Sequence, residues 1–561
     1  MKIKQMCLAA IACVAIVSVQ AAPVIEKPAI MPEAMLSVTV SDVHGFIDEF
    51  GLVAAQSSPM MNGMMLKNLL GMQLGDPGLA GIAPGKGLAI VALDTTNIFA
   101  VIEVAEAQSA AYAGIATQKG MASTYSNGLL VLGGSEEQVA KGAGLSGRVQ
   151  AKLLAKRSPT LRIAAQPAAI IERNNELIQG FLQSMPALLG ASMMEAPGAS
   201  TNSAATTAKI LEGELRVLLS MSSQCKSGEV VLAPQGGSVK INETFVPMAG
   251  TALAKLVDSP SAPKGNPKVQ SGLFGDGMVL VDFMMANPAA LSDFIMAETE
   301  NLFKTMQIKE VDVASLNGIM TKWMKLYSGA GCETFDFDAD AGMSVNYLLE
   351  VNDEAASLAL LKSMVKDMEP FMKLYESMGM PMKLVFKENV REHKGIKIHH
   401  LEMDISLEEM MAEQKKQMEA LKMDNMGYDI AIFDGLMLYT MGGTKIEGVI
   451  DRVKDNAATV STVKARKVYP EGGFYYLDWD VARYMEMISA FMPDDAQSPF
   501  APQVIALMQG VDPITSAGFR QDGRVMWSIN IPGDLIAKLG QIGMMMQMQQ
   551  MQQQQQGMPV Q

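Results

Sequence analysis

Residues Pro32 to Phe50 read PEAMLSVTVSDVHGFIDEF, and this stretch decides how the chain is parsed. From Leu36 to Val40 apolar residues alternate with Ser37 and Thr39, the period of a strand with one buried face. Asp42 then stands where a helix begins, able to accept a hydrogen bond from an unpaired N–H of the first turn. Val43, Phe46, Ile47 and Phe50 follow at the spacing that puts four apolar side chains on one helical face.

The same design returns far along the chain. Residues Pro470 to Ile488 read PEGGFYYLDWDVARYMEMI, and without a gap Pro32, Glu33, Asp42 and Val43 fall on Pro470, Glu471, Asp480 and Val481. Val481, Tyr484, Met485 and Ile488 repeat the helical spacing. A looser version starts at Gly277, where MVLVDFMM precedes Asn287 and Pro288 as cap and first helical residue. A second match pairs Asn127 to Ser135, NGLLVLGGS, with the segment from Asp434 and Gly435 through Leu438 to Gly442, Gly443 and Thr444. Each is a turn, a strand, a glycine pair and a capped helix, with Ser135/Gln138 and Thr444/Glu447 as capping boxes. The glycine pairs lack the longer spacing of a phosphate loop, so capping is their reading.

Between these anchors hairpins are expected, for example Gly87 to Glu103 turning at Asp94 to Asn97, and Thr334 to Val351 turning at Ala339 to Gly342. Ser406 to Met423 carries the pattern of an amphipathic helix. Hairpins mixed with helices, without strict alternation, predict an α+β fold of two related halves, each a mainly antiparallel sheet covered on one face by helices. Pro- and small-residue-rich stretches at 196–208 and 259–268 look like linkers. The expected division is 1–21 as a signal peptide, 22–265 and 266–540 as the two units, and 541–561 as a disordered Met- and Gln-rich tail.

The signal rests on Lys2 and Lys4 before an apolar run from Met6 to Val19 and the small residues ending at Ala21, followed by Pro23 and charged residues. The run is short for a membrane span, so export to the periplasm or the medium is expected with no transmembrane anchor retained. The net charge of −14 disfavours nucleic acid, whose phosphates require a basic face. Beyond the signal only Cys225 and Cys332 remain, too few for a disulfide framework, though a single bridge is open to them.

Candidate chemistry is sparse. On a strand His400, Glu402 and Asp404 share one face, a spacing open to a metal ion, with His393 across the turn at Lys394 and Gly395. Asp336 to Gly342 begins like a calcium loop but has Ala341 and Tyr347 where that loop needs glycine and an acidic ligand. Ser363 to Lys366 and Ser344 to Asn346 imitate motifs of penicillin-binding enzymes in the wrong order, and no Gly-x-Ser-x-Gly elbow occurs. Phe474 to Tyr484 is the densest aromatic cluster, and Tyr475, Trp479 and Tyr484 are candidates for a binding surface. The 48 methionines replace leucine in cores and can make adaptable surfaces. No cofactor and no catalytic residue is assigned.

Met31 to Leu36 followed by Asp42 and a helix, with the Asp434-Gly435 strand and its Gly-Gly-Thr cap, resembles the DUF3352-type family of large exported bacterial proteins of unknown function. The resemblance implies an exported α+β protein and carries over no site residues. The leading expectation is a non-catalytic envelope or secreted binding or scaffold protein for a macromolecular partner. A periplasmic carrier of an apolar ligand is the alternative, and a metal-assisted hydrolase comes third.

Overall fold

In the computed structural model the described residues are 28–556 except 59, 74, 183, 185–214, 259–266, 271–276, 285–287, 307–312, 339–341, 370–371, 373–381, 406–425, 443, 456–462, 471 and 492–500. The signal at 1–21, the linker at 196–208, all of the linker at 259–268 except Pro267 and Lys268, and the helix expected at Ser406 to Met423 lie outside them.

The first strands are β1 (Leu36–Val40), β2 (Leu88–Ala92), β3 (Ile98–Glu103), β4 (Ala122–Ser126), β5 (Leu129–Gly133), β6 (Leu161–Ala165), β7 (Cys225–Gln235) and β8 (Ser238–Pro247). The remainder are β9 (Val279–Met284), β10 (Tyr327–Asp338), β11 (Gly342–Val351), β12 (Met382–His393), β13 (Ile396–Ile405), β14 (Met426–Phe433), β15 (Leu436–Gly442), β16 (Tyr475–Trp479), β17 (Ile514–Gln521) and β18 (Arg524–Ile531). Among the described residues these 18 strands form one antiparallel sheet. Starting at one edge it runs β4-β5-β3-β2-β1-β6-β7-β8. It continues across β8·β18, through β17-β16-β9-β10-β11-β15-β14-β13, to β12 at the other edge. At the central joint Ile241 faces Ile529 and Asn242 faces Ser528, with the Ser528 hydroxyl donating to Asn242 Oδ1 at 2.6 Å.

The turns follow from local chemistry. Asn127-Gly128, Lys394-Gly395, Asp434-Gly435 and Asp522-Gly523 all have positive φ at both positions, the tight hairpin geometry whose twist matches that of the strands. In the longer β2–β3 loop the Asp94 carboxylate accepts from the backbone N–H groups of Thr96 and Asn97, both at 2.8 Å.

The helices used below are α1 (Val43–Ser57), α2 (Gly63–Gln73), α3 (Glu106–Gln118), α4 (Glu136–Val149), α5 (Pro167–Arg173), α6 (Ala252–Val257), α7 (Pro288–Met306), α8 (Val313–Leu326), α9 (Glu354–Asp367), α10 (Ile446–Asp455), α11 (Val481–Phe491), α12 (Ala501–Met508) and α13 (Gly533–Gln556). The caps expected from sequence are present at α1, where Gly45 N–H donates to Asp42 at 3.0 Å, and at α11, where Ala482 N–H donates to Asp480 at 2.9 Å. Gln138 N–H donates to Ser135 Oγ ahead of α4, whereas the Glu447 carboxylate is taken by Arg391.

Helices cover both faces of the sheet, which corrects the expectation of one. Alternate strand residues pack into different cores: Leu348, Leu436 and Leu438 join Ile446, Val449 and Ile450 of α10, while Leu349 and Met437 join Leu361 of α9. At the other end Phe99, Val101 and Val131 meet α4 through Val139, and Ile102 and Leu130 meet α1 and α3 through Val43, Ile47 and Tyr112. Such strands are apolar on both faces, so their sequence loses the polar alternation of a one-sided sheet.

The C-terminal segment is also corrected. Gly533 to Gln556 is helical, so α13 runs through the boundary at 540 and well into the stretch expected to be disordered. Leu535, Ile542 and Met545 anchor it against α11 and α12. Once nucleated, a run of Met and Gln, both good helix formers, propagates at little cost. Among the described residues no helix is long and apolar enough to cross a membrane.

Candidate binding site

The residues expected to hold a metal do not come together on one ion. His400 Nδ1 lies 2.9 Å from Asp429, Glu402 meets Lys387 Nζ at 2.5 Å, and Asp404 is exposed. His393 bonds Asp451 at 2.6 Å, and His399 is buried with its ring stacked on Phe386. Among the described residues no three His, Cys, Asp or Glu side chains are grouped to hold a metal ion. Asp336 is engaged by Arg483 at 2.7 Å and by Met278 N–H, and Ser363 donates to Leu360 O and Asp367, so neither borrowed motif assembles a site. Cys225 and Cys332 are both free and buried; burial pushes the Cys225 thiol up to about 11.

The aromatic cluster divides as strand alternation requires. Tyr476 points into the α10 core, where its hydroxyl donates to Pro470 O at 2.8 Å and accepts from Gly473 N–H at 2.9 Å. Tyr475, Leu477 and Trp479 point to the opposite face and are half-buried. Tyr475 meets Trp527 edge-on at 5.6 Å, and Trp479 meets Tyr484 of α11 edge-on at 5.3 Å. Of the three surface candidates, Trp479 and Tyr484 line a shallow, open cavity of about 300 Å³ together with Val279, Phe335, Leu477 and Met487.

That face continues into a region the sequence did not single out. Leu477 pairs with Val281, Val281 with Glu333, Glu333 with Tyr347, and Tyr347 with Tyr439, so one row of side chains crosses five adjacent strands. Tyr439 lines a second cavity of about 190 Å³ with Trp323, Tyr327, Met364, Leu401 and Tyr428. Rings pack along the row, Phe283 with Tyr347 at 6.0 Å and Tyr347 with Tyr439 at 6.4 Å. Glu333 sits between the two cavities. Burial raises its carboxyl pKa, and neither a hydrogen bond nor an ion pair reaches it among the described residues. Burial also raises the phenols of Tyr347 and Tyr475, each to about 12, with the Glu333 charge as a further cause for both. The same two causes raise Tyr428.

The charged residues elsewhere are mostly compensated. Glu103, 3% exposed, takes Arg157 at 2.7 Å and Gly87 N–H at 2.8 Å. Arg466 pairs with buried Asp282 and lies over the Tyr476 ring at 4.3 Å. A clear exception is Glu243 on β8, 6% exposed, with no partner for Oε1 and with burial raising its pKa to about 7.

The methionines are split between core and surface. Met31, Met278, Met437, Met508 and Met526 are buried, but Met60, Met64, Met72, Met546 and Met548 are exposed. Several exposed ones cluster on helices in backbone contact: a Cβ on Gly51 of α1 would fall 2.2 Å from Gly63 N of α2, and one on Gly540 of α13 would fall 2.2 Å from Ser57 Cβ of α1. The expectation that methionine serves packing holds for the first group only.

No family model, no curated protein and no solved structure matches this chain.

Proposed function

We propose that this chain is an exported, non-catalytic binding protein built by duplication, and that it holds a macromolecular partner on the helical layer α2-α1-α13. The observation that carries the reading is the apolar exposure of that layer. Met64 is 74% exposed, Met72 62% and Met546 58%, with Leu69, Leu70, Phe50, Leu52 and Leu539 also open to solvent. Apolar side chains gathered on adjoining helices mark an interaction surface, and the unbranched thioether adapts to varied partners.

Duplication is supported by the order of strands outward from the central joint. One side runs β8-β7-β6-β1-β2-β3-β5-β4, and the other runs β18-β17-β16-β9-β10-β11-β15-β14 before the extra hairpin β13-β12. Position by position the elements correspond. Within each side a smaller unit recurs, a strand, a helical segment, a hairpin and a helix, starting at β1, β6, β9 and β16. This accounts for both sequence matches: Pro32 with Pro470 at the level of the small unit, and Asn127 with Asp434 at the level of the halves.

Photo-crosslinking residues placed at Met64, Met72 and Met546 in the producing cell test the partner. The expected result is one shared crosslinked species from all three and none from Glu392, exposed on the edge strand β12. Crosslinks no stronger than that control refute the reading.

A second reading, a carrier of an apolar ligand, is favoured by the two aromatic cavities on one sheet face. Native mass spectrometry after gentle extraction tests it; a bare polypeptide mass removes it.

A further inference from the structure

Glu333 is the least explained polar group on the aromatic face. Its carboxylate lies in a half-buried position on β10 with apolar Val281 on one neighbouring strand and Tyr347 on the other. Leaving an ionisable group in such surroundings costs stability unless a counter-charge arrives. The hydroxyls of Tyr327, Tyr347, Tyr428 and Tyr475 likewise make no hydrogen bond among the described residues, and the last three feel the Glu333 charge. Polar groups that have no protein partner among the described residues and gather between two apolar pockets fit a ligand site, in which a few polar atoms orient a mainly apolar guest.

The sign of the guest follows from the lining. Aromatic faces carry negative potential and attract cations, best of all ammonium groups. The carboxylate adds a full negative charge, and the described lining of the two cavities includes no Lys or Arg. An anion, a fatty acid for example, would meet repulsion at Glu333. We infer that the face between the two cavities binds an organic cation: an ammonium group rests beside Glu333 against Tyr347 and Tyr475, and its hydrocarbon chain extends over Leu477 toward Trp479. This deepens the carrier reading and rests on it.

Calorimetric titration of the purified chain with decyltrimethylammonium, decanol and decanoate, all below their aggregation limits, tests the inference. The ammonium compound should bind about tenfold or more tighter than decanol, a ratio suited to one charge-assisted contact. Glu333→Gln should bring the two to parity while leaving decanol affinity unchanged. This substitution removes a half-buried charge and keeps the shape, so it should fold; an unchanged near-ultraviolet circular dichroism spectrum checks that. Parity on the unmodified chain, or a preference that survives Glu333→Gln, overturns the inference and leaves the carrier reading standing. Binding of none of the three compounds overturns both.

Discussion

Two glycines three residues apart in α13 should respond to the same substitution with opposite signs. Gly→Ala in a helix interior stabilises by about 1 kcal/mol when nothing obstructs the methyl group. At Gly543 nothing lies within 4 Å of the new Cβ. At Gly540 the new Cβ would sit 2.2 Å from Ser57 Cβ and 2.3 Å from Ser57 Cα. Ordinary carbon contact is about 3.5–4 Å, so α13 and α1 must part by more than about 1 Å. Overpacking of this kind costs about 1–3 kcal/mol. The hydrogen bond from Ser57 Oγ to Ile536 O, 3.1 Å long, would also be lost, at about 1 kcal/mol. Gly540→Ala should therefore destabilise by roughly 1–3 kcal/mol net while Gly543→Ala stabilises by up to about 1 kcal/mol. Urea denaturation followed by circular dichroism reads the pair, and amide exchange should quicken in both α1 and α13 for the first variant alone. Equal shifts of the same sign would refute the packing of α13 on α1.

Glu243 should make stability pH-dependent. Its folded pKa is raised to about 7, so below about pH 4 neither state pays for its charge; from there to about pH 7 the unfolded state ionises first and stability falls, reaching a plateau above. The full loss is about 3 kcal/mol from the size of that shift. Glu243→Gln should flatten this limb, and an unchanged profile would count against burial of the carboxylate. Glu103→Gln should act oppositely in kind: it strips Arg157 of its buried partner and should cost about 3 kcal/mol in a thermal or urea melt, whereas a neutral effect would contradict the pairing. Alkylation mapped by mass spectrometry should find Cys225 and Cys332 unreactive until denaturant is added; labelling of either in the native protein would show that these thiols are not buried.

What the sequence revealed was local. The strand-to-helix steps at Asp42 and Asp480, the Asx turn at Asp94 and the tight turns at Asn127 and Asp434 are each set by residues a few positions apart, and the α+β character followed from them. Long-range pairing was not legible. Nothing near Ile241 announces that it faces Ile529, because register is fixed by burial on a sheet whose order cannot be read from spacing. Helices on both faces escaped for a related reason: Leu348 and Leu349, or Met437 and Leu438, are adjacent apolar residues serving opposite cores, and a run of that sort reads equally as either element. Of the candidate sites, Tyr475, Trp479 and Tyr484 lie near one pocket, while His400 and Glu402 are held by separate ion pairs and Asp404 is exposed. Glu333 is not legible as a site residue from sequence, since a glutamate in an amphipathic strand looks solvated until its neighbours on other strands are known.

The arrangement depends most on the joint between β8 and β18, which joins the strands on either side of it into one sheet. Cysteines placed at the facing residues Lys240 and Asn530 test it directly under mild oxidation. Rapid, near-complete disulfide formation is expected for Lys240→Cys with Asn530→Cys, and none for Lys240→Cys with Arg524→Cys, roughly 20 Å away along the strand. Bridging of the second pair, or failure of the first, would contradict a single sheet through the whole chain.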